Sequence, residues 1–213
     1  SFLSFPTRSS RSTAAKDFLT LTGTFIRRRF NTASKSCSDK VVSNTSIAFS
    51  CVWYYREIID EIGKDTMQKE LNKLHYGNCD ISDWEGYLNT NNNNRALTGF
   101  WIESSLKISP KEQVEVLERI FGEHSVYSQE TQNSLKQVML LSEGQNGDML
   151  IYGKTGLGKS HGVTIDAWFA GFADTDDERK YFCVYLGETN GKDVSSTKAK
   201  EIAIELISDL ERL

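Results

Sequence analysis

The residues most suggestive of chemistry form a glycine-rich octapeptide, Gly153-Lys154-Thr155-Gly156-Leu157-Gly158-Lys159-Ser160. Its spacing is that of a phosphate cradle, G-x-x-x-x-G-K-S. In such a cradle backbone N–H groups wrap the phosphates, the lysine neutralises them and the hydroxyl joins Mg²⁺. That chemistry requires a strand before the loop and a helix after it. The residues from His161 to Phe169 are β-branched and aromatic, with Gly162 near their start, which suits a strand and not a helix. Only 53 residues remain after Ser160, too few for a series of parallel βα units. A P-loop NTPase is therefore a remote reading. Read differently, the same residues are a Lys154-Thr155-Gly156 tripeptide directly after a strand. The three histidines, His75, His124 and His161, are too scattered for a triad or a metal site, and the four cysteines show neither C-x-x-C nor zinc spacing.

The elements that must position these residues follow from periodicity. Ile47, Phe49, Val52, Trp53, Tyr55, Ile58, Ile59 and Ile62 fall at helical spacing, and Gly63 ends the run. A short helix over about Thr66 to Leu74 leads into Tyr76-Gly77-Asn78, and residues 84–98, with Asn91 to Asn94, read as loop. Ser109-Pro110-Lys111-Glu112 is a helix start with cap, proline and capping box, and Val114, Leu117, Ile120 and Phe121 line one face of the helix it opens. A further helix, about Glu130 to Leu141, turns Leu135, Val138 and Met139 inward. Strands are expected at Met149–Tyr152, Gly162–Phe172 and Tyr181–Leu186, in antiparallel succession. A closing helix from about Ser196 to Leu210 is expected to place Ala199, Ile202, Ile204, Leu206 and Leu210 on the sheet. Helices first, then strands and a last helix, predict an α+β domain with an antiparallel sheet flanked by helices.

Composition sets the outer bounds. A chain of 213 residues with 38% hydrophobic and 25% charged residues suits one globular domain. No apolar run nears the roughly 18 residues of a membrane span, and no basic segment with an apolar core marks a secretory signal. The net charge of −4 is uneven. Residues 1–41 carry eight Lys/Arg against Asp17 and Asp39, a balance of +6, while the remaining 17 bases and 27 acids give −10. The Ser/Arg-rich stretch 1–45 has no sustained period and is set apart from an ordered domain over 46–213. Cys51 and Cys183 lie in apolar strings and read as small buried hydrophobes.

The order of several motifs then becomes specific. Ser50-Cys51-Val52 with Trp53-Tyr54-Tyr55-Arg56-Glu57-Ile58 resembles the S-x-V helix of class D β-lactamases (oxacillinases). Tyr76-Gly77-Asn78 is similar to that family's Y-G-N, and Phe100-Trp101-Ile102-Glu103 through Ser109 to its F-W-L-E-x-x-L-x-I-S. Lys154-Thr155-Gly156 matches the K-T-G that serine β-lactamases and penicillin-binding proteins carry on a strand, and Trp168-Phe169-Ala170-Gly171 follows in family order. The resemblance covers about Ser46 to Leu210. It implies a serine β-lactamase/penicillin-binding-protein-like fold and a small-molecule β-lactam as ligand. It further implies that Ser50 shuttles protons near a nucleophile, Val52 walls the base, and Trp101 donates its indole N–H to a carbamylated lysine. Lys154 and Thr155 would bind the β-lactam carboxylate, and the strand from Gly156 onward would supply backbone groups, including an oxyanion-hole N–H. No cofactor is expected beyond the CO2-derived carbamate, and no nucleic-acid partner. The family also implies a periplasmic or secreted protein, with a homodimer as one possible assembly.

Two departures from the family pattern stand out. No arginine occurs between residues 180 and 211, where many members place a carboxylate-binding arginine, so Lys192, Lys198 or Lys200 would have to act as point charges. The nucleophile motif S-x-x-K, expected upstream of S-x-V, is absent from that place. The Ser/Arg-rich stretch 1–45 could be an organelle-targeting segment or a basic arm for nucleic acid, but neither explains the missing motif. Synonymous codons for Phe5 through Lys16, read one frame away, can spell a helix resembling the one that follows S-x-x-K, so a frameshift with Ser1-Phe2 as remnant is the expectation. The implied function is a class D-type hydrolase, inactive in this chain for want of nucleophile and base. A non-hydrolytic β-lactam sensor is the alternative.

Overall fold

The computed structural model describes residues 59–85, 100, 105–141, 149–160, 163–175, 178–187 and 194–210. The helical turn at 59–62 stops where Gly63, with φ 77°, donates its N–H to the Ile59 carbonyl at 2.9 Å. Helix α1 (Lys64–Leu74) buries Met67, Leu71 and Leu74 at i, i+4 and i+7. It ends at His75, whose left-handed φ of 49° turns the chain so that the His75 and Tyr76 amides donate to Asn72 and Leu71.

The next residues explain why the chain reads Tyr-Gly-Asn. Tyr76 is fully buried. Gly77 has φ 51°, and a Cβ there would sit 1.8 Å from the Lys107 carbonyl oxygen, so no side chain fits. Asn78 stitches the turn to residues 105–107. Its amide donates to the Ser105 carbonyl at 2.7 Å, and its side-chain oxygen accepts from the Lys107 N–H at 3.0 Å.

Helix α2 (Pro110–Phe121) begins as the sequence predicts. The Ser109 hydroxyl accepts from the Glu112 N–H, and the Glu112 carboxylate accepts from the Ser109 N–H at 2.7 Å. Its inward face is shifted from the expected one: Val116 joins Leu117, Ile120 and Phe121 in the core, whereas Val114 is half-buried. Helix α3 (Gln129–Met139) starts one residue before the expected place, because the Ser128 hydroxyl caps the Thr131 N–H.

Three antiparallel strands follow, β1 (Leu150–Ser160), β2 (Val163–Asp174) and β3 (Arg179–Gly187), in spatial order β1-β2-β3. Strand β1 is longer than its apolar run suggests and contains the whole Gly153–Ser160 octapeptide. That removes the loop-to-helix geometry a phosphate cradle requires. One sheet face packs Tyr152, Ala170 and Phe172 into the core shared with α1, α2 and α3. The other packs Phe169, Ile151 and Ala173 beneath helix α4 (Ser196–Leu210). Gly153 faces that second layer, where an added Cβ would meet the Phe169 ring at 2.4 Å.

The face of α4 corrects one expectation. Ala199, Ala203 and Ile207 are buried, whereas Leu206 and Leu210 are 56% and 55% exposed. Alanines at i and i+4 let the helix approach the sheet while Phe169 and Phe182 fill the space between, and Ile207 at i+8 packs on Ile151 and Ala173. The stripe is chosen by fit, not by hydrophobicity.

Candidate active site

Ser50, Val52 and Trp101 lie outside the described residues, as does His161, so the site is built from the strand side. Lys154 pairs across from Ala170, Gly156 from Trp168, and Gly158 from Asp166, with a register shift between Gly158 and Lys159. Successive side chains alternate between faces. Lys154 therefore shares the face of Tyr152, which belongs to the core of α1, α2 and α3, while Thr155 shares the α4 face with Phe169. The two side chains expected to converge on one carboxylate leave the strand on opposite sides. Lys154 is half-buried, and its ammonium donates to the Thr155 carbonyl at 2.8 Å.

Backbone direction divides the tripeptide further. Among the described strands β1 is an edge, and residue 141 donates to the Ile151 carbonyl at 3.0 Å from the side away from β2. In an antiparallel strand the N–H and C=O of one residue point the same way and alternate along the chain. The groups of Thr155 and Leu157 therefore point to the outer edge, and those of Gly156 point to β2. Sequence reasoning took Gly156 as the start of the backbone-donating stretch; the outward N–H beyond the tripeptide belongs to Leu157.

Beside this strand stands a polar cluster that sequence reasoning passed over. Asp166 is 3% exposed, and its carboxylate accepts from the Tyr185 hydroxyl at 2.5 Å. Tyr185 in turn packs on Trp168 with ring centroids 4.6 Å apart. Burial pushes the Asp166 carboxyl above its usual range, against the lowering effect of the Tyr185 hydrogen bond. Burial, and then the Asp166 carboxylate, hold the Tyr185 hydroxyl well above its ordinary value. The second Asp166 oxygen and the Trp168 indole N–H have no partner among the described residues. A carboxylate in an otherwise apolar strand, two residues before a tryptophan, was the available signal.

The remaining candidates are peripheral or structural. His75 and His124 are exposed, and Cys183 is a half-buried thiol packed against the helical core. Among the described residues no helix is long and apolar enough to cross a membrane, and no cluster of His, Cys, Asp or Glu could hold a metal ion.

Comparison with known proteins places this arrangement. Residues 13–208 match the family described as Penicillin binding protein transpeptidase domain. The chain is 35% identical over 170 residues to beta-lactamase OXA-1 of Escherichia coli, covering 78% of this chain and 59% of that protein. It is 30% identical over 166 residues to regulatory protein BlaR1 of Staphylococcus aureus, covering 76% of this chain and 26% of that protein. It thus spans between about a quarter and three-fifths of these relatives. Among solved structures, the class D beta-lactamase FUS-1 (OXA-85) of Fusobacterium nucleatum superposes with TM-score 0.69 at 26% identity, covering 95% of this chain and 83% of that one. The C-terminal domain of the Bacillus licheniformis BlaR penicillin-receptor shares the fold, with TM-score 0.72 at 23% identity, covering 94% of this chain and 80% of that one. On the match that runs through nearly its whole length, the chain belongs to the penicillin-binding-protein transpeptidase-domain family, with class D β-lactamases among its relatives.

Proposed function

We propose that this domain descends from class D-type serine β-lactamases and binds β-lactams, and that this chain does not complete their hydrolysis. The observation that carries the reading is the Lys154-Thr155-Gly156 stretch inside the edge strand among those described, with outward backbone groups at Thr155 and Leu157 and a cationic Lys154 on the helical side. In this reading Lys154 attracts the ligand carboxylate and the outer edge of β1 receives the ligand amide. The Leu157 N–H is aimed to stabilise an oxyanion. Ser50, Val52 and Trp101 would complete the pocket from the helical side. In class D enzymes a serine is acylated by the β-lactam carbonyl and water, activated by a carbamylated lysine, releases the acyl group. No S-x-x-K stands before Ser50 in this chain to supply either group. A periplasmic or secreted setting fits the same descent.

The second reading is a sensor that is acylated and stays so. It is favoured by the similarity to BlaR1 and by the fold shared with a penicillin-receptor domain. The experiment compares this chain with a version carrying an S-x-x-K helix upstream, using nitrocefin and a fluorescent penicillin. The chain alone should bind benzylpenicillin reversibly without turnover, and the completed version should label. Labelling that decays with nitrocefin turnover identifies a hydrolase, and persistent labelling a sensor. Absence of any β-lactam binding in both versions refutes the proposal.

A further inference from the structure

The rows of the sheet next to the Lys-Thr-Gly stretch are built unusually. Asp166 sits between two glycines, Gly158 on β1 and Gly187 on β3. Neither neighbour has a side chain, so Tyr185 can lean back across Gly187 to reach the carboxylate. A Cβ at Gly187 would lie 3.1 Å from the Tyr185 oxygen. In the next row Tyr185 lies against Trp168, and Trp168 is the cross-strand partner of Gly156. Hydrogen bond, ring contact and strand pairing thus run unbroken from Asp166 to the tripeptide.

Burying a carboxylate with one partner is costly, and an apolar residue of similar size would pack this sheet better. Tyr185 would then be free to swing off Trp168, and the one ring contact that the described residues make with the indole would be lost. The cost is explained if the position of the tripeptide matters more than stability does.

We infer that Asp166, acting through Tyr185 and Trp168, is the positioning residue that holds Lys154–Leu157 in register for the ligand. The inference rests on the β-lactam reading above, but its structural half can be tested without a ligand.

The test uses Tyr185→Phe, Asp166→Ala and Asp166→Asn in the full chain. Two readouts are taken well below each variant's thermal midpoint: benzylpenicillin affinity by calorimetry, and hydrogen exchange of the β1 amides. Tyr185→Phe keeps the ring and loses only the hydroxyl. It should weaken benzylpenicillin about tenfold, as expected for one lost hydrogen bond to a charged group. It should also speed exchange of the Gly156 and Gly158 amides about tenfold while leaving α2 amides unchanged. Asp166→Ala should do the same, and Asp166→Asn, which still accepts from Tyr185, should recover most of the loss. If Tyr185→Phe leaves affinity and β1 exchange within twofold, or speeds exchange equally in α2, the positioning role is wrong. If neither the parent chain nor the version carrying an S-x-x-K helix binds benzylpenicillin while β1 exchange still responds selectively, the β-lactam reading fails and the positioning role stands.

Discussion

Asp174, the last residue of β2, is the most exacting place to test how the sheet is tied to the helices. Its carboxylate accepts from Nε and Nη2 of Arg179, the latter at 2.8 Å, and from Lys136 of α3 at 2.9 Å. The same guanidinium donates to the Phe121 carbonyl at the end of α2 and lies 4.8 Å from the Phe172 ring centroid. One carboxylate therefore joins β2, β3, α2 and α3. The three side chains are 20–26% exposed, so solvent screens them only in part. Removing the carboxylate leaves two half-buried cations about a common point. The cost of breaking a fully buried pair, about 3–5 kcal/mol, is reduced here by partial exposure to about 2–3 kcal/mol. For a domain of this size that lowers the thermal midpoint by about 4–12 °C. Urea unfolding of Asp174→Asn against the parent at pH 7 measures it directly. Burial tends to raise the Asp174 carboxyl, but the hydrogen bonds from Arg179 and Lys136 outweigh it and hold the group below its usual range. A depressed native value means the stabilisation is present above the unfolded value near pH 4 and is lost as pH falls through the native one. The parent–variant difference should therefore shrink steadily below about pH 4. A difference under about 0.5 kcal/mol at pH 7, or one that is flat with pH, would refute the reasoning.

Other perturbations separate the remaining claims. Gly77→Ala drives a Cβ into the Lys107 carbonyl and strains a positive φ; a loss of about 2–4 kcal/mol in urea unfolding is expected. Ser109→Ala breaks the capping box of α2 and should cost about 1 kcal/mol by the same assay. Asp166→Asn reports in the opposite sense from Asp174. Because burial raises the native Asp166 value, the parent's stability from this group is greatest in acid and is lost as pH rises through it. The variant should gain on the parent from about pH 4 upward, as seen in thermal midpoints across that range. Replacing the exposed Leu206 or Leu210 by Gln should change stability by less than about 0.5 kcal/mol.

Much of the scaffold was legible because it is locally encoded. The Ser109 capping box and the Gly63 stop each depend on residues close in sequence whose backbone needs are specific, whereas the reason for Gly77 and Asn78 lies some thirty residues on, at Ser105 and Lys107. The antiparallel order of the strands followed from their spacing, and the K-T-G tripeptide was readable against the phosphate-cradle pattern because the residues after it favour a strand. The full length of β1 was not, since glycines interrupt the apolar pattern and only pairing with β2 holds them extended. Nor was the buried face of α4, where a fit of alanines against Phe169 overrode the larger leucines.

The sequence by itself determined which residue types make up the candidate site and in what order, because motif spacing and caps are properties of short stretches. Tertiary structure alone decided that Lys154 and Thr155 leave β1 on opposite faces and that Leu157, not Gly156, turns its N–H outward. It alone also brought Asp166 to Tyr185. Those outcomes depend on which edge of a strand is paired and which face meets a helix, and no residue carries that information until its neighbours across the sheet are in place.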